Sequence, residues 1–110
     1  MNIQIFGKSK SFDTKKAERY FKERRIRFQS IDMARYGLSR KELESAERVV
    51  GLDNLPDEKH PDYAQWKYLA YKEDKFEMLL EHPDMLNAPI VRNGKQATAG
   101  YCPDVWKTWE

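Results

Sequence analysis

Apolar and polar residues alternate at the start of the chain and again near its end. Residues 3–6 alternate in this way, which predicts a first strand, and residues 26–31 predict a second. Residues 89–92 and 95–99 flank Asn93-Gly94, a dipeptide that favours a type I′ hairpin turn. The sequence therefore predicts four strands, with the last two joined as a β-hairpin.

Apolar residues at helical spacing occupy the rest of the chain. Residues 13–25 predict an amphipathic helix, capped by Ser11 or Asp13. Ser39 to Glu42 has the form of a capping box, and the helix that follows it should end at Gly51. Two further apolar stripes predict helices within residues 61–80, and a last short helix should begin at Pro103. The predicted buried face of the first helix comprises Ala17, Tyr20 and Phe21.

The order of these elements predicts the fold. Strand, helix, strand at the start calls for a parallel pair of strands joined by a right-handed crossover. With the hairpin added, the layout is that of an α/β, thioredoxin-like fold, a small mixed four-stranded sheet flanked by helices. We expect one domain over residues 1–110, with a thioredoxin-like core at 1–37 and 85–110 and a helical insertion at 38–84.

Composition narrows the class of protein. The 110 residues are 40% hydrophobic and 13% aromatic, which is enough to form a core and excludes disorder as the ground state. One cysteine permits no internal disulfide and suits a reducing compartment. No long apolar run is present, so we expect neither a signal peptide nor a membrane span. A net charge of +2 gives little support for direct binding of nucleic acid. We expect a cytoplasmic monomer.

Three segments resemble a known family. Residues 6–17 are Phe6-Gly7-Lys8-Ser9-Lys10-Ser11-Phe12-Asp13-Thr14-Lys15-Lys16-Ala17. Their spacing resembles that of the segment after the first strand in the arsenate-reductase-like (ArsC/Spx) family of thioredoxin-fold proteins. Ala88-Pro89-Ile90-Val91 and Gly100-Tyr101 are similar to the family's later Arg-Pro-Ile-Val and Gly-aromatic steps. The resemblance runs essentially end to end. It implies a glutaredoxin-like thiol redox site and a cis peptide bond at Pro89.

The resemblance also places the site residues, and here the chain departs from the family. Ser11 stands where the family carries its reactive cysteine, and Thr14 stands where Cys-x-x-Cys members have the second. A serine hydroxyl forms no disulfide and is far less acidic than a thiol, so the site is silent as written. Ser11 is then either a helix cap or, because serine is nearly isosteric with cysteine, an engineered silencing of a thiol. The substrate-binding positions implied by the resemblance are Lys8, Lys10, Lys15, Pro89, Gly100, Tyr101 and Cys102.

Several of these residues also have simpler interpretations. The lysines around Ser11 either belong to a thiolate site or form a solvated face. Cys102 precedes a predicted helix, where thiol pKa values fall, but a half-buried structural residue is the favoured interpretation. Ala88 replaces the family's arginine, and guanidinium groups suit tetrahedral oxyanions, so we doubt arsenate as a substrate. His60 and His82 lack a second ligand at helical spacing, so no metal site is expected.

Two classes of function fit the sequence. The first is an oxidoreductase-type protein that lacks its nucleophilic cysteine. We expect no bound cofactor in it. For a form with cysteine at position 11, the thiol donor would be glutathione, a thioredoxin or a glutaredoxin. The second is a non-catalytic regulatory module that docks on a protein partner, as the Spx regulators dock on RNA polymerase. Basic residues in the first 41 positions could meet an acidic partner surface.

Overall fold

The computed structural model describes residues 1–110, and its centre is one mixed four-stranded sheet. The strands are β1 (Ile3–Gly7), β2 (Phe28–Asp32), β3 (Ile90–Asn93) and β4 (Gln96–Ala99), in the spatial order β2-β1-β3-β4. β1 is parallel to β2 and antiparallel to β3, and β3 and β4 form an antiparallel hairpin. The predicted mixed sheet and parallel first pair are confirmed.

Six α-helices surround this sheet. They are α1 (Phe12–Glu23), α2 (Met33–Tyr36), α3 (Arg40–Val50), α4 (Tyr63–Lys67), α5 (Lys72–Glu81) and α6 (Pro103–Lys107), with short 3-10 turns at Leu52–Asn54 and Pro83–Met85. The predicted capping box is present: Ser39 Oγ accepts the Glu42 N–H and Glu42 Oε1 accepts the Ser39 N–H. None of the helices has the length and apolar character needed to cross a bilayer.

Each face of the sheet packs against its own set of helices. On one face Ile5 and Val91 meet the predicted apolar stripe of α1, together with Trp106 of α6. On the other face Phe6 and Ile90 meet residues from α3, α4, α5 and the connecting segments. The ends of β1 and of the hairpin are therefore held between two separate apolar cores.

Two boundaries near the first helix differ from the prediction. Helix α1 ends at Glu23 because Arg25 adopts a left-handed conformation (φ 58°), although it is not glycine. The Ile26 N–H donates to the Phe21 carbonyl and the Arg25 N–H to the Lys22 carbonyl, which is the Schellman arrangement. This turn uses residues 24–27, so β2 begins at Phe28 and not at residue 26.

Three other local features differ from the prediction: the hairpin turn, the short helix α2 and the length of α4. Asn93 is the last residue of β3 and pairs with Gln96, so the two-residue hairpin loop is Gly94-Lys95. Gly94 has a positive φ of 59° and Lys95 does not, which fits a type II′ turn and not type I′. The short helix α2 was not predicted, and α4 covers only Tyr63–Lys67, after Pro61.

Candidate functional site

The loop between β1 and α1 holds Ser11 in a helix-capping position. Ser11 has extended backbone angles (φ −85°, ψ 121°), and its N–H donates to the Lys8 carbonyl at 3.0 Å. Its side-chain Oγ accepts the Thr14 N–H at 3.1 Å, which satisfies one of the unpaired amides of the first turn of α1. The Ser11 hydroxyl is thus the N-cap of α1.

Thr14 is buried and closes the same loop from inside. Its Oγ1 accepts the Lys8 N–H at 3.2 Å, so this hydroxyl is also engaged with the backbone. A Cβ added to Gly7 would lie 2.2 Å from Thr14 Cγ2, which explains why glycine is needed where β1 meets the loop. Ser11 and Thr14 are therefore brought together, each as an acceptor for a main-chain amide.

Lys8 is directed toward the short 3-10 turn at Pro83–Met85. Its Nζ donates to the Asp84 carbonyl at 2.7 Å. Burial lowers the pKa of Lys8, and the carboxylates of Asp57 and Asp84 oppose this effect in part. This contact joins residues 76 positions apart, and no local signal in the sequence predicts it.

Two other lysines near Ser11 remain at the surface, one in the loop and one in the first turn of α1. Lys10 and Lys15 are exposed, and Lys15 Nζ lies 5.9 Å from the centre of the Phe12 ring. Phe12 itself is 78% exposed, although it follows Ser11 directly. The surface around Ser11 thus carries an exposed aromatic ring with two lysines near it, and Asp13 follows the ring in sequence.

Pro89 and Gly100 lie together at the end of the hairpin. The Ala88–Pro89 peptide bond is cis, as predicted, and the Gly100 N–H donates to the Pro89 carbonyl at 2.8 Å. Phe6 pairs with Ile90 in the antiparallel register, so the next step places Pro89 beside the end of β1. The neighbouring Ala88 offers no guanidinium group for an oxyanion.

Cys102 is a half-buried residue at the start of α6. Its Sγ donates to the Ala99 carbonyl at 3.4 Å. Burial raises the pKa of the Cys102 thiol, and the nearby Asp13 carboxylate raises it further, whereas a hydrogen bond with Thr98 acts in the opposite direction. Cys102 is half-buried, as the favoured interpretation of the sequence has it, and the pKa of its thiol is raised and not lowered.

The two histidines do not form part of a metal-binding group. His60 Nε2 lies 2.9 Å from Asp84 Oδ2, and this pair holds the segment that also accepts the Lys8 ammonium. No three His, Cys, Asp or Glu side chains are grouped so that they could hold a metal ion.

Comparisons with known proteins bear on the fold. No family model and no curated protein matches the sequence. An arsenate reductase from Vibrio cholerae has a similar structure, with a TM-score of 0.83, 21% identity and coverage of 96% of this chain and 94% of that one. An ArsC family related protein from Bacteroides fragilis has a TM-score of 0.85 and 14% identity, covering 100% and 98% of the two chains.

A third solved structure is more distant. The glutaredoxin-like NrdH-redoxin from Escherichia coli has a TM-score of 0.53 and 17% identity, covering 100% of this chain and 96% of that one. The resemblance found in the sequence is thereby confirmed at the level of the fold. The chain has the thioredoxin-like fold of the arsenate-reductase-like structures.

Proposed function

We propose that this chain is a redox-silent protein of the arsenate-reductase-like family and that the surface around Ser11 docks a partner protein. The observation that carries the proposal is the state of the two hydroxyls at the family's thiol positions. Ser11 Oγ and Thr14 Oγ1 both accept backbone amides, which gives each a structural role.

The alternative nucleophiles are also unsuited to thiol or hydrolytic chemistry. The Ser11 hydroxyl accepts a hydrogen bond from a backbone amide. It has no hydrogen bond to a histidine that could act as its general base. Cys102 is the one thiol of the chain, and its raised pKa keeps it protonated at neutral pH. Reduction of arsenate or of a disulfide needs a thiolate, and the chain offers none at this site.

A docking role is supported by the exposed groups around Ser11, in the loop and the first turn of α1. Phe12 is 78% exposed, and the cationic side chains of Lys10 and Lys15 are exposed beside it in sequence. An exposed aromatic anchor with two lysines near it suits a partner that has an apolar pocket with acidic groups at its rim. The family resemblance suggests RNA polymerase, on which the Spx regulators dock.

The docking part is tested with purified bacterial RNA polymerase immobilised on a biosensor. Phe12→Ser should weaken binding on the order of tenfold, because it removes the proposed anchor. Tyr68→Ser is the matched control, since Tyr68 is 79% exposed but lies just after α4 in the insertion; it should bind as the parent does. Absence of binding, or equal losses in both variants, would refute the docking role.

The redox part has a separate test. Replacing Ser11 by Cys restores the family's nucleophile at a position where the Thr14 N–H and the start of α1 would stabilise a thiolate. This variant should react with oxidised glutathione, forming a mixed disulfide at position 11 and releasing one reduced glutathione, and the parent should not react in this way. Equal exchange by parent and variant would show that position 11 is not the relevant site.

A further inference from the structure

The outer edge of β2 is not paired with any other part of the chain. β2 lies at one end of the four-stranded sheet, and β1 is its only partner strand. No loop, turn or side chain forms a hydrogen bond with a backbone amide or carbonyl of residues 28–31, and Gln29 and Ser30 are exposed. Alternate residues of this strand therefore present N–H and C=O groups that are free to pair with a further strand.

A depression lies on each side of this edge. The one on the side of α3 has a volume of about 510 Å³, and Phe6 and Leu38 are among its lining residues. The one on the side of α1 has a volume of about 350 Å³ and a more polar lining. Ser30, Ile31 and Tyr36 border both depressions. Successive side chains of a strand point to opposite faces of a sheet, so an added strand would direct its side chains alternately toward the two depressions.

The larger depression offers apolar surface to such a strand. Phe6 and Leu38 are buried, Ile31 is half-buried, and Tyr36 at its border is 68% exposed. The Arg35 guanidinium lies 5.3 Å from the centre of the Tyr36 ring, so a cation stands beside this exposed ring. An apolar side chain that lies in this depression would remove parts of Ile31 and Tyr36 from water, which favours binding.

Arginines without ion pairs flank both ends of β2. Arg25 and Arg27 precede the strand and Arg35 follows it; all three are exposed, and no carboxylate lies within ion-pair distance of them. The acidic side chains nearest to the edge already accept hydrogen bonds within the chain, and they are Glu18, Asp32 and Glu42. The free charge beside the edge is therefore positive, which suits an acidic partner.

A second copy of this chain fits the edge poorly. Two copies related by a two-fold axis would pair their β2 strands antiparallel, so the start of one strand would lie beside the end of the other. Arg25 and Arg27 of one copy would then approach Arg35 of the second. Like charges that face each other across strands destabilise the pairing. An acidic segment avoids this repulsion and gains attraction at both ends.

We propose that the outer edge of β2 binds an extended acidic segment of a partner protein as a fifth strand of the sheet. The backbone of the segment pairs with β2, its alternate apolar side chains lie against Ile31 and Tyr36, and acidic residues toward its ends meet Arg27 and Arg35. This site is independent of the docking surface in the proposed function, because Phe12 and Lys10 line neither depression.

The test is a titration of ¹⁵N-labelled protein with the synthetic peptide acetyl-Asp-Glu-Val-Thr-Ile-Thr-Val-Glu-Asp-amide. We expect saturable amide shifts centred on residues 27–39 and slower hydrogen exchange at alternate amides of β2, which the new strand protects. The control peptide has lysine at each acidic position and should bind at least tenfold more weakly. Absence of binding, equal binding of the two peptides, or unprotected β2 amides would overturn the proposal. Shifts of β2 that grow with protein concentration in the absence of peptide would also overturn it, because a second copy would then be the occupant.

Variants separate this edge from the docking surface of the proposed function. The double variant Arg27→Gln, Arg35→Gln should weaken peptide binding about tenfold, because it removes two exposed charges that the acidic ends meet. The double variant Arg48→Gln, Lys95→Gln has the same change in net charge, on α3 and in the hairpin loop, and should bind the peptide as the parent does. Phe12→Ser should also bind the peptide as the parent does, whatever its effect on RNA polymerase. Equal losses in the two double variants, or loss of peptide binding in Phe12→Ser, would refute the site.

Discussion

Replacing Ser11 by Ala tests whether this hydroxyl stabilises the start of α1. The substitution removes the acceptor of the Thr14 N–H, now 3.1 Å from Oγ, and leaves the backbone of the loop in place. Because Ser11 is half-buried, water replaces this partner only in part. Helix α1 packs across one face of the sheet, so fraying of its first turn reduces the stability of the whole domain.

The expected cost follows from this single lost contact. Removing an N-cap side chain costs about 1 kcal/mol, within a range of about 0.5–2 kcal/mol. For a domain of this size, about 1 kcal/mol lowers the Tm by about 4 °C. Ser11→Asp should preserve most of the stability, because a carboxylate can cap the same amide and suits the positive end of the helix.

Urea unfolding followed by circular dichroism measures these differences. Ser9→Ala is the control in the same loop, since Ser9 is exposed and precedes the cap, and it should change the free energy of unfolding by less than about 0.5 kcal/mol. Ser39→Ala, which removes the cap of α3, should cost about as much as Ser11→Ala. If Ser11→Ala were as stable as the parent, the capping role assigned to this hydroxyl would be wrong.

Three further predictions concern the site and its surroundings. In the Ser11→Cys variant, the rate of alkylation against pH should give a pKa below the reference value of about 8.5 for the new thiol, because the Thr14 N–H and the helix start favour the thiolate; a pKa at or above that value would contradict this. The same variant should form no intramolecular disulfide with Cys102, whose Sγ is held by the Ala99 carbonyl, and an oxidised monomer lighter by two hydrogens in mass spectrometry would disprove it. The hydrogen bond with His60 lowers the pKa of Asp84, so this carboxylate contributes stability above its unfolded pKa of about 3.9 that is lost as the pH falls through the lower folded value. As the pH falls below about 4, the free energy of unfolding of Asp84→Asn, measured with urea, should therefore decrease less than that of the parent. The same pH dependence in both proteins would refute the coupling between Asp84 and His60.

Local sequence signals predicted most of the fold. The alternation at the start of β1, the capping box at Ser39 and the glycine after Val50 each depend on neighbours within a few residues, and each is present in the structure. The early end of α1 was missed because Arg25 occupies the left-handed position that usually carries glycine. Without glycine at position 25, the sequence gives no local signal that the helix ends there.

The site was only partly predictable for a different reason. The position of Ser11 at the start of α1 followed from the loop and the helix pattern, and the structure gives it the capping bond. The contact of Lys8 with Asp84 and the unpaired hydroxyl of Tyr20 depend on packing between distant segments. Helical spacing placed Tyr20 on the buried face but could not show that its hydroxyl lacks an acceptor.

The central claim is that this chain carries out no thiol chemistry, and turnover measures it most directly. Purified protein is assayed for reduction of arsenate and of a small disulfide with glutathione as donor, beside a blank without protein. The account predicts rates equal to the blank, because Cys102 is the one thiol and its pKa is raised. Turnover above the blank that disappears in Cys102→Ser would contradict the account, since it would make this half-buried cysteine a working nucleophile.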